Sequence, residues 1–130
     1  MLTILIVDDS RTARMFIKRC LEIAVSQDAE FLEAANGKEA LGILKAQPAD
    51  LVVSDLNMPV MDGDMLVKFM KASPKLNEIP IMIITSAGNP AKETELLALG
   101  AFAVLSKPVS PATITETLGS LIQKEEGAYE

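Results

Sequence analysis

Short apolar runs alternate along the chain with longer stretches in which apolar residues recur every three or four positions. The runs are Thr3–Val7, Glu30–Glu33, Leu51–Ser54, Ile81–Thr85 and Phe102–Leu105, the second being weak. Most are short and β-branched, the pattern of strands buried on both faces. The stretches between them predict helices. Ser10 caps a first helix whose apolar stripe is Ala13, Phe16, Ile17, Cys20, Leu21 and Ala24. Asn36 with Glu39 forms a capping box ahead of Ala40, Leu41 and Leu44. Leu66, Phe69 and Met70 mark a third helix, preceded by Asp62-Gly63, which reads as a turn.

Asn89-Pro90 reads as an N-cap followed by proline in the first helical turn, and Gly100 as the stop of that fourth helix. Gly88 gives the loop ahead of it conformational freedom. Ser110-Pro111 repeats the start signal for a fifth helix with Ile114, Leu118, Leu121 and Ile122 on one side. Five strand–helix units in succession imply an α/β fold, a parallel sheet with helices on both faces. No linker or repeat divides the chain. Residues 1–124 read as one domain and 125–130 as a short polar tail that frays into solvent.

Composition narrows the function. The 130 residues are enough for a real core, and a net charge of −6 argues against nucleic-acid binding through a broad basic surface. A single cysteine, Cys20, rules out an internal disulfide and reads as a core residue. No stretch has the length of a membrane span, and MLTILIVDDS reads as a strand rather than a signal peptide, so a cytoplasmic location is expected.

In an open parallel sheet, sites form outside the carboxyl ends of the strands. There the sequence places Asp8 and Asp9 after the first strand, Asp55 after the third, Thr85 and Ser86 at the fourth, and Ser106 and Lys107 after the fifth. Three clustered carboxylates need a counter-charge to ionise together. A hard divalent cation such as Mg2+ meets that need, and a chain with no histidine and one cysteine is a poor host for zinc or copper. With a lysine and a threonine beside the metal, all three oxygens of a phosphoryl group would find partners. A carboxylate can be the nucleophile in such a site, which points to Asp55 as the acceptor of an aspartyl-phosphate.

The set of Asp8-Asp9, "SDLNMPVMDG", "ITSAG" and "SKP" resembles the receiver domains of two-component response regulators, and in length the single-domain receivers of the chemotaxis CheY type. The resemblance covers essentially the whole chain, with the motifs in order. It implies a flavodoxin-like, doubly wound five-stranded sheet in the order 2-1-3-4-5. It implies Asp55 as phospho-acceptor, and Mg2+ held by Asp8, Asp9, Asp55 and the backbone carbonyl of Asn57. Thr85 would be the switch hydroxyl, Lys107 the phosphoryl contact, and Lys107-Pro108 a cis junction. The donor would be a phosphohistidine on a histidine kinase or histidine phosphotransfer protein. Output would be binding of a separate protein to the face made by the fourth helix, fifth strand and fifth helix. That partner could be a flagellar motor component, a kinase or a relay protein. The chain would then be a signalling receiver that assists its own phosphorylation and dephosphorylation, not an enzyme with turnover.

The chain departs from the family pattern where an aromatic often stands. Val104 occupies the position three before Lys107, and Val109 follows the proline, so an aromatic rotamer switch at position 104 is excluded. Ala87 and Asn57 would flank the path of attacking water.

Taken singly, each residue has an ordinary reading. Acids precede helices, Thr85 and Ser86 stabilise loops, Met58 and Met61 pack, and Lys107 is a surface lysine. Arg11, Arg14, Lys18 and Arg19 read as a solvated face. The coincidence of the first set at one edge favours a site. An Mg2+-dependent phosphohydrolase is the rival enzyme, but it would normally carry an acid two residues after the nucleophile, where Asn57 stands. Neither glycine-rich nucleotide motif occurs. An unphosphorylated scaffold on the same fold is the other alternative.

Overall fold

The computed structural model describes the backbone of residues 2–86 and 89–127, with side chains through residue 119. Five strands, β1 (Thr3–Val7), β2 (Glu30–Ala34), β3 (Leu51–Asp55), β4 (Ile81–Thr85) and β5 (Ala103–Ser106), alternate with five helices. The helices are α1 (Arg11–Ala24), α2 (Gly37–Ala46), α3 (Gly63–Ala72), α4 (Pro90–Leu99) and α5 (Pro111–Gly127). The sheet is wholly parallel, in the order β2-β1-β3-β4-β5.

Alternation along the strands sorts the core into two layers. Leu5, Val7, Val52, Ile81 and Ile83 meet α2, α3 and α4 on one face. Ile4, Ile6, Leu51, Val53, Met82 and Ile84 meet α1 and α5 on the other. The central strands are apolar on both faces because both are covered, which is why they read as unbroken runs.

Helix starts follow their capping residues. Oxygens of Ser10, Asn36, Asp62 and Asn89 each accept the backbone N–H three residues on. Ser110 and Thr113 exchange reciprocal bonds of 3.1 Å at the start of α5. Gly100, at φ 117°, ends α4 in the left-handed conformation that glycine adopts without steric cost.

Several expectations need correction. Phe16 and Phe69 lie on their helices' predicted apolar stripes, yet both are about half exposed. Each stands on the shoulder of a helix that reaches the sheet through neighbouring positions: Ile17, Cys20 and Leu21 in α1, and Leu66, Val67 and Met70 in α3. The Asp62-Gly63 pair is not a free turn but the N-cap and first residue of α3. β2 runs on to Ala34, β3 takes in Asp55, and β5 starts one residue later than predicted and ends at Ser106. Arg14 is not merely solvated; it pairs with Glu33 at 2.8 Å. α5 continues to Gly127, three residues into the segment expected to fray as a tail; Ala87, Gly88, and the side chains of Leu121, Ile122 and residues 125–130 lie outside the described residues.

Candidate functional site

Parallel register carries the chemistry to one edge. Val7 lies opposite Ser54, so Asp8 and Asp55 leave neighbouring strands at the same level. Asp55 lies opposite Ile84, which faces Leu105, and Thr85 lies opposite Ser106, so Lys107 follows two residues past the level of Asp55 on the far side of β4.

Asp8 is almost fully buried. Its Oδ1 accepts the N–H of Ser10 at 2.9 Å, and its Oδ2 accepts from Lys107 Nζ at 3.2 Å. Arg14 Nη1 donates to the Asp8 carbonyl at 2.7 Å, so α1 grips the turn that presents the acid. Asp9, next in the chain, is exposed. Asp55 is buried, and its Oδ1 accepts the N–H of Leu56 at 2.8 Å and lies 3.5 Å from Lys107 Nζ. Lys107 thus faces two carboxylates at once.

Burial pushes the Asp55 carboxyl above the usual aspartate range, and the Asp8 charge raises it further; Lys107 and the Leu56 N–H act against both. For Lys107, burial works to lower the pKa. The hydrogen bond to Asp8 and the charges of Asp55 and Asp8 outweigh it, and the ammonium stands above its ordinary value. Lys107 is thus the shared counter-charge of Asp8 and Asp55.

Asp8, Asp9 and Asp55 each offer a carboxylate oxygen, all within 4.8 Å of one another. Hard oxygen donors at that separation, one at the surface and two buried, fit a small divalent cation with open positions for water.

Thr85 is buried at the end of β4, and its carbonyl accepts the Lys107 N–H at 2.9 Å, so backbone hydrogen bonding ties the two residues together. The Lys107–Pro108 bond is cis. Asn57 is exposed in the loop after Asp55, and Val104 is half-buried against the α4 side of the core. That loop is tightly held. Gly63 N–H donates to Leu56 O at 2.8 Å, and a Cβ on Gly63 would lie 2.6 Å from the Asp55 carbonyl oxygen. Met61 lies over Gly37 at the start of α2, and Met58 packs against the core, as packing residues should. Val60 sits at φ 67°, a strained conformation for a β-branched residue.

Sequence reading missed the supports. Arg14 at the Asp8 carbonyl, the Leu56 N–H on Asp55 and Gly63 beneath it carry no motif of their own.

The family model of the response regulator receiver domain matches residues 4–119. A chemotaxis protein CheY homolog of Campylobacter jejuni is 35% identical over 120 residues, covering 92% of this chain and 91% of that protein. The chemotaxis protein CheY1 of Helicobacter pylori is 38% identical over 116 residues, covering 88% and 92%. Among solved structures, the chemotaxis response regulator CheY4 of Vibrio cholerae superposes with a TM-score of 0.77 at 35% identity, covering 95% of this chain and 98% of that one.

Proposed function

Because the chain belongs to the response regulator receiver family, we propose that Asp55 is the residue at which it accepts a phosphoryl group, from a phosphohistidine on a histidine kinase or phosphotransfer protein. The observation that carries this is a buried carboxylate with a raised pKa, set among two further acids and one lysine at a single sheet edge.

The residues divide the work. Asp55 attacks phosphorus; the P–N bond to the donor imidazole breaks, a mixed anhydride forms, and the imidazole leaves. The Leu56 N–H fixes the orientation of the attacking carboxylate. Asp8, Asp9, Asp55 and the Asn57 carbonyl would hold Mg2+, which supplies charge neutralisation at the phosphoryl oxygens. Lys107, 3.5 Å from Asp55, neutralises another of those oxygens. Thr85 gains an acceptor that exists only in the phosphorylated state. Its hydroxyl moves toward that acceptor and carries the backbone leading to α4 with it.

We read residues 1–124 as the receiver unit, with α5 continuing to Gly127 into the 125–130 segment, acting in the cytoplasm as a phosphorylation-controlled switch. The face of α4, β5 and α5 then binds a separate output protein, in a chemotaxis-type pathway by likeness to the relatives. Turnover as a phosphohydrolase is disfavoured because the position two after Asp55 is an amide, leaving no general acid there. Among the described residues no helix is long and apolar enough to cross a membrane.

Intact-mass spectrometry after incubation with Mg2+ and acetyl phosphate tests the reading. One added phosphoryl group is expected, absent in Asp55→Asn and absent with a chelator. Modification that survives in Asp55→Asn would overturn the assignment.

A further inference from the structure

α4 is held to the rest of the protein unevenly. Leu96 is its one buried residue, and in the first turn Pro90, Ala91 and Glu93 are all exposed. Lys92 is the exception. Its backbone N–H closes the cap on Asn89 at 2.8 Å, and its Nζ lies 2.5 Å from Asp64 Oδ2 in the first turn of α3. Glu95, a second acid near the ammonium, is more distant at 3.5 Å and well exposed.

Asp64 in turn depends on this lysine. Its Oδ1 is buried with no hydrogen-bond partner, so Lys92 supplies the carboxylate's counter-charge through the other oxygen. The Asp64 bond holds the Lys92 ammonium above the ordinary lysine value. Asp64 also stands on fixed ground. It follows Gly63, whose N–H bonds Leu56 O and whose Cα sits against the Asp55 backbone. The pair therefore links the root of the Asp55 loop to the start of α4, and α4 follows the strand that ends in Thr85.

We propose that Lys92 and Asp64 form a clip that holds the first turn of α4 against α3, a positioning pair that weights the receiver toward its unphosphorylated arrangement. The clip rests on geometry alone; its regulatory role rests on the reading of Asp55 given above. Most exposed ion pairs contribute little. This one is half-buried, has an otherwise unpartnered oxygen, and joins a turn that has no buried side chain of its own. Releasing it frees that turn without opening the core, and whatever favours the rearranged state must also favour phosphoryl acceptance.

The test is amide hydrogen exchange over residues 90–96, read beside the initial rate of phosphorylation by acetyl phosphate with Mg2+. The variants are Lys92→Met, Asp64→Asn, the double variant and Lys92→Arg. Each neutralised single is expected to speed exchange in 90–96 and raise the phosphorylation rate roughly two- to fivefold, the range an ion pair of this kind supports. Exchange in α2 should not change. The double variant should match the singles rather than add to them, and Lys92→Arg should stay near wild type. Unchanged exchange in both singles, or additive effects in the double, would overturn the clip. Faster exchange with an unchanged phosphorylation rate would overturn its regulatory role. A wild type that takes no phosphoryl group at all would instead count against Asp55, while the exchange data would still decide the clip.

Discussion

α3 and α4 are each ten residues long, lie side by side on one face of the sheet, and start from an Asp or Asn cap. Their inner faces differ. α3 buries Gly63, Leu66, Val67 and Met70 along its length, whereas α4 buries Leu96 alone. At about 1.5–3 kcal/mol for each large apolar side chain, two extra buried residues in α3 amount to roughly 3–6 kcal/mol. The difference teaches which helix can respond. α3 cannot shift without opening the core, and its first residue is wedged beneath Asp55. α4 is anchored by Leu96, with Leu99 partly buried against the core, Lys71 lying over Gly100 at its far end and Lys92 tied to Asp64 at its near end.

The sharpest way to break this contrast is to truncate the inner face of α3. Leu66→Ala should cost about 2–5 kcal/mol in chemical denaturation. A cost no greater than that of truncating an exposed α4 leucine would show the comparison to be false. Next comes Gly63→Ala, whose Cβ would meet backbone rather than a yielding side chain. A loss of about 1–3 kcal/mol is expected, with a slower phosphorylation rate because the Asp55 loop must shift.

Asp55→Asn should act in the opposite direction and raise the metal-free stability by about 1 kcal/mol. Folded Asp55 holds its proton more tightly than an unfolded aspartate, so ionising it costs the native state. The gain is full above the folded-state pKa. It shrinks as the pH falls through that value and is gone below the ordinary 3.8 of an aspartate. Urea titrations of both proteins across acid pH would show it; a gain that persisted in acid would have another cause.

The caps give a finer comparison. Removing either helix cap costs about 1 kcal/mol locally. Asp62→Ala should lower the global midpoint, because α3 unfolds with the core. Asn89→Ala should instead speed exchange within α4 and leave the midpoint nearly unchanged. Leu97→Ala, at a side chain 44% exposed on α4, should stay within about 0.5 kcal/mol of wild type.

The main elements and the residues of the site were legible in the sequence for one reason. A doubly covered parallel strand is an apolar run, and its carboxyl end is where polar chemistry begins, so Asp8, Asp55, Thr85 and Lys107 announced themselves by position. Strand order was not legible from periodicity and came from resemblance. Helical period places Phe16 and Phe69 on an apolar stripe about as well as it places Ile17 and Met70; only the packing of the sheet decides which side of the stripe is covered. Asp62-Gly63 has the composition of a turn and also of a cap. Lys92 and Asp64 are 28 residues apart, so neither their pairing nor the hold of Arg14 on the Asp8 carbonyl leaves any local trace.

The all-parallel sheet has a consequence for modularity. β1 enters at the amino edge, and α5 starts at the carboxyl edge with Pro111 and runs back across the α1 face. The start of β1 at Thr3 and the last described turn of α5 at Gly127 therefore lie away from Asp55, so the edge that carries the acids is kept apart from both ends of the packed unit.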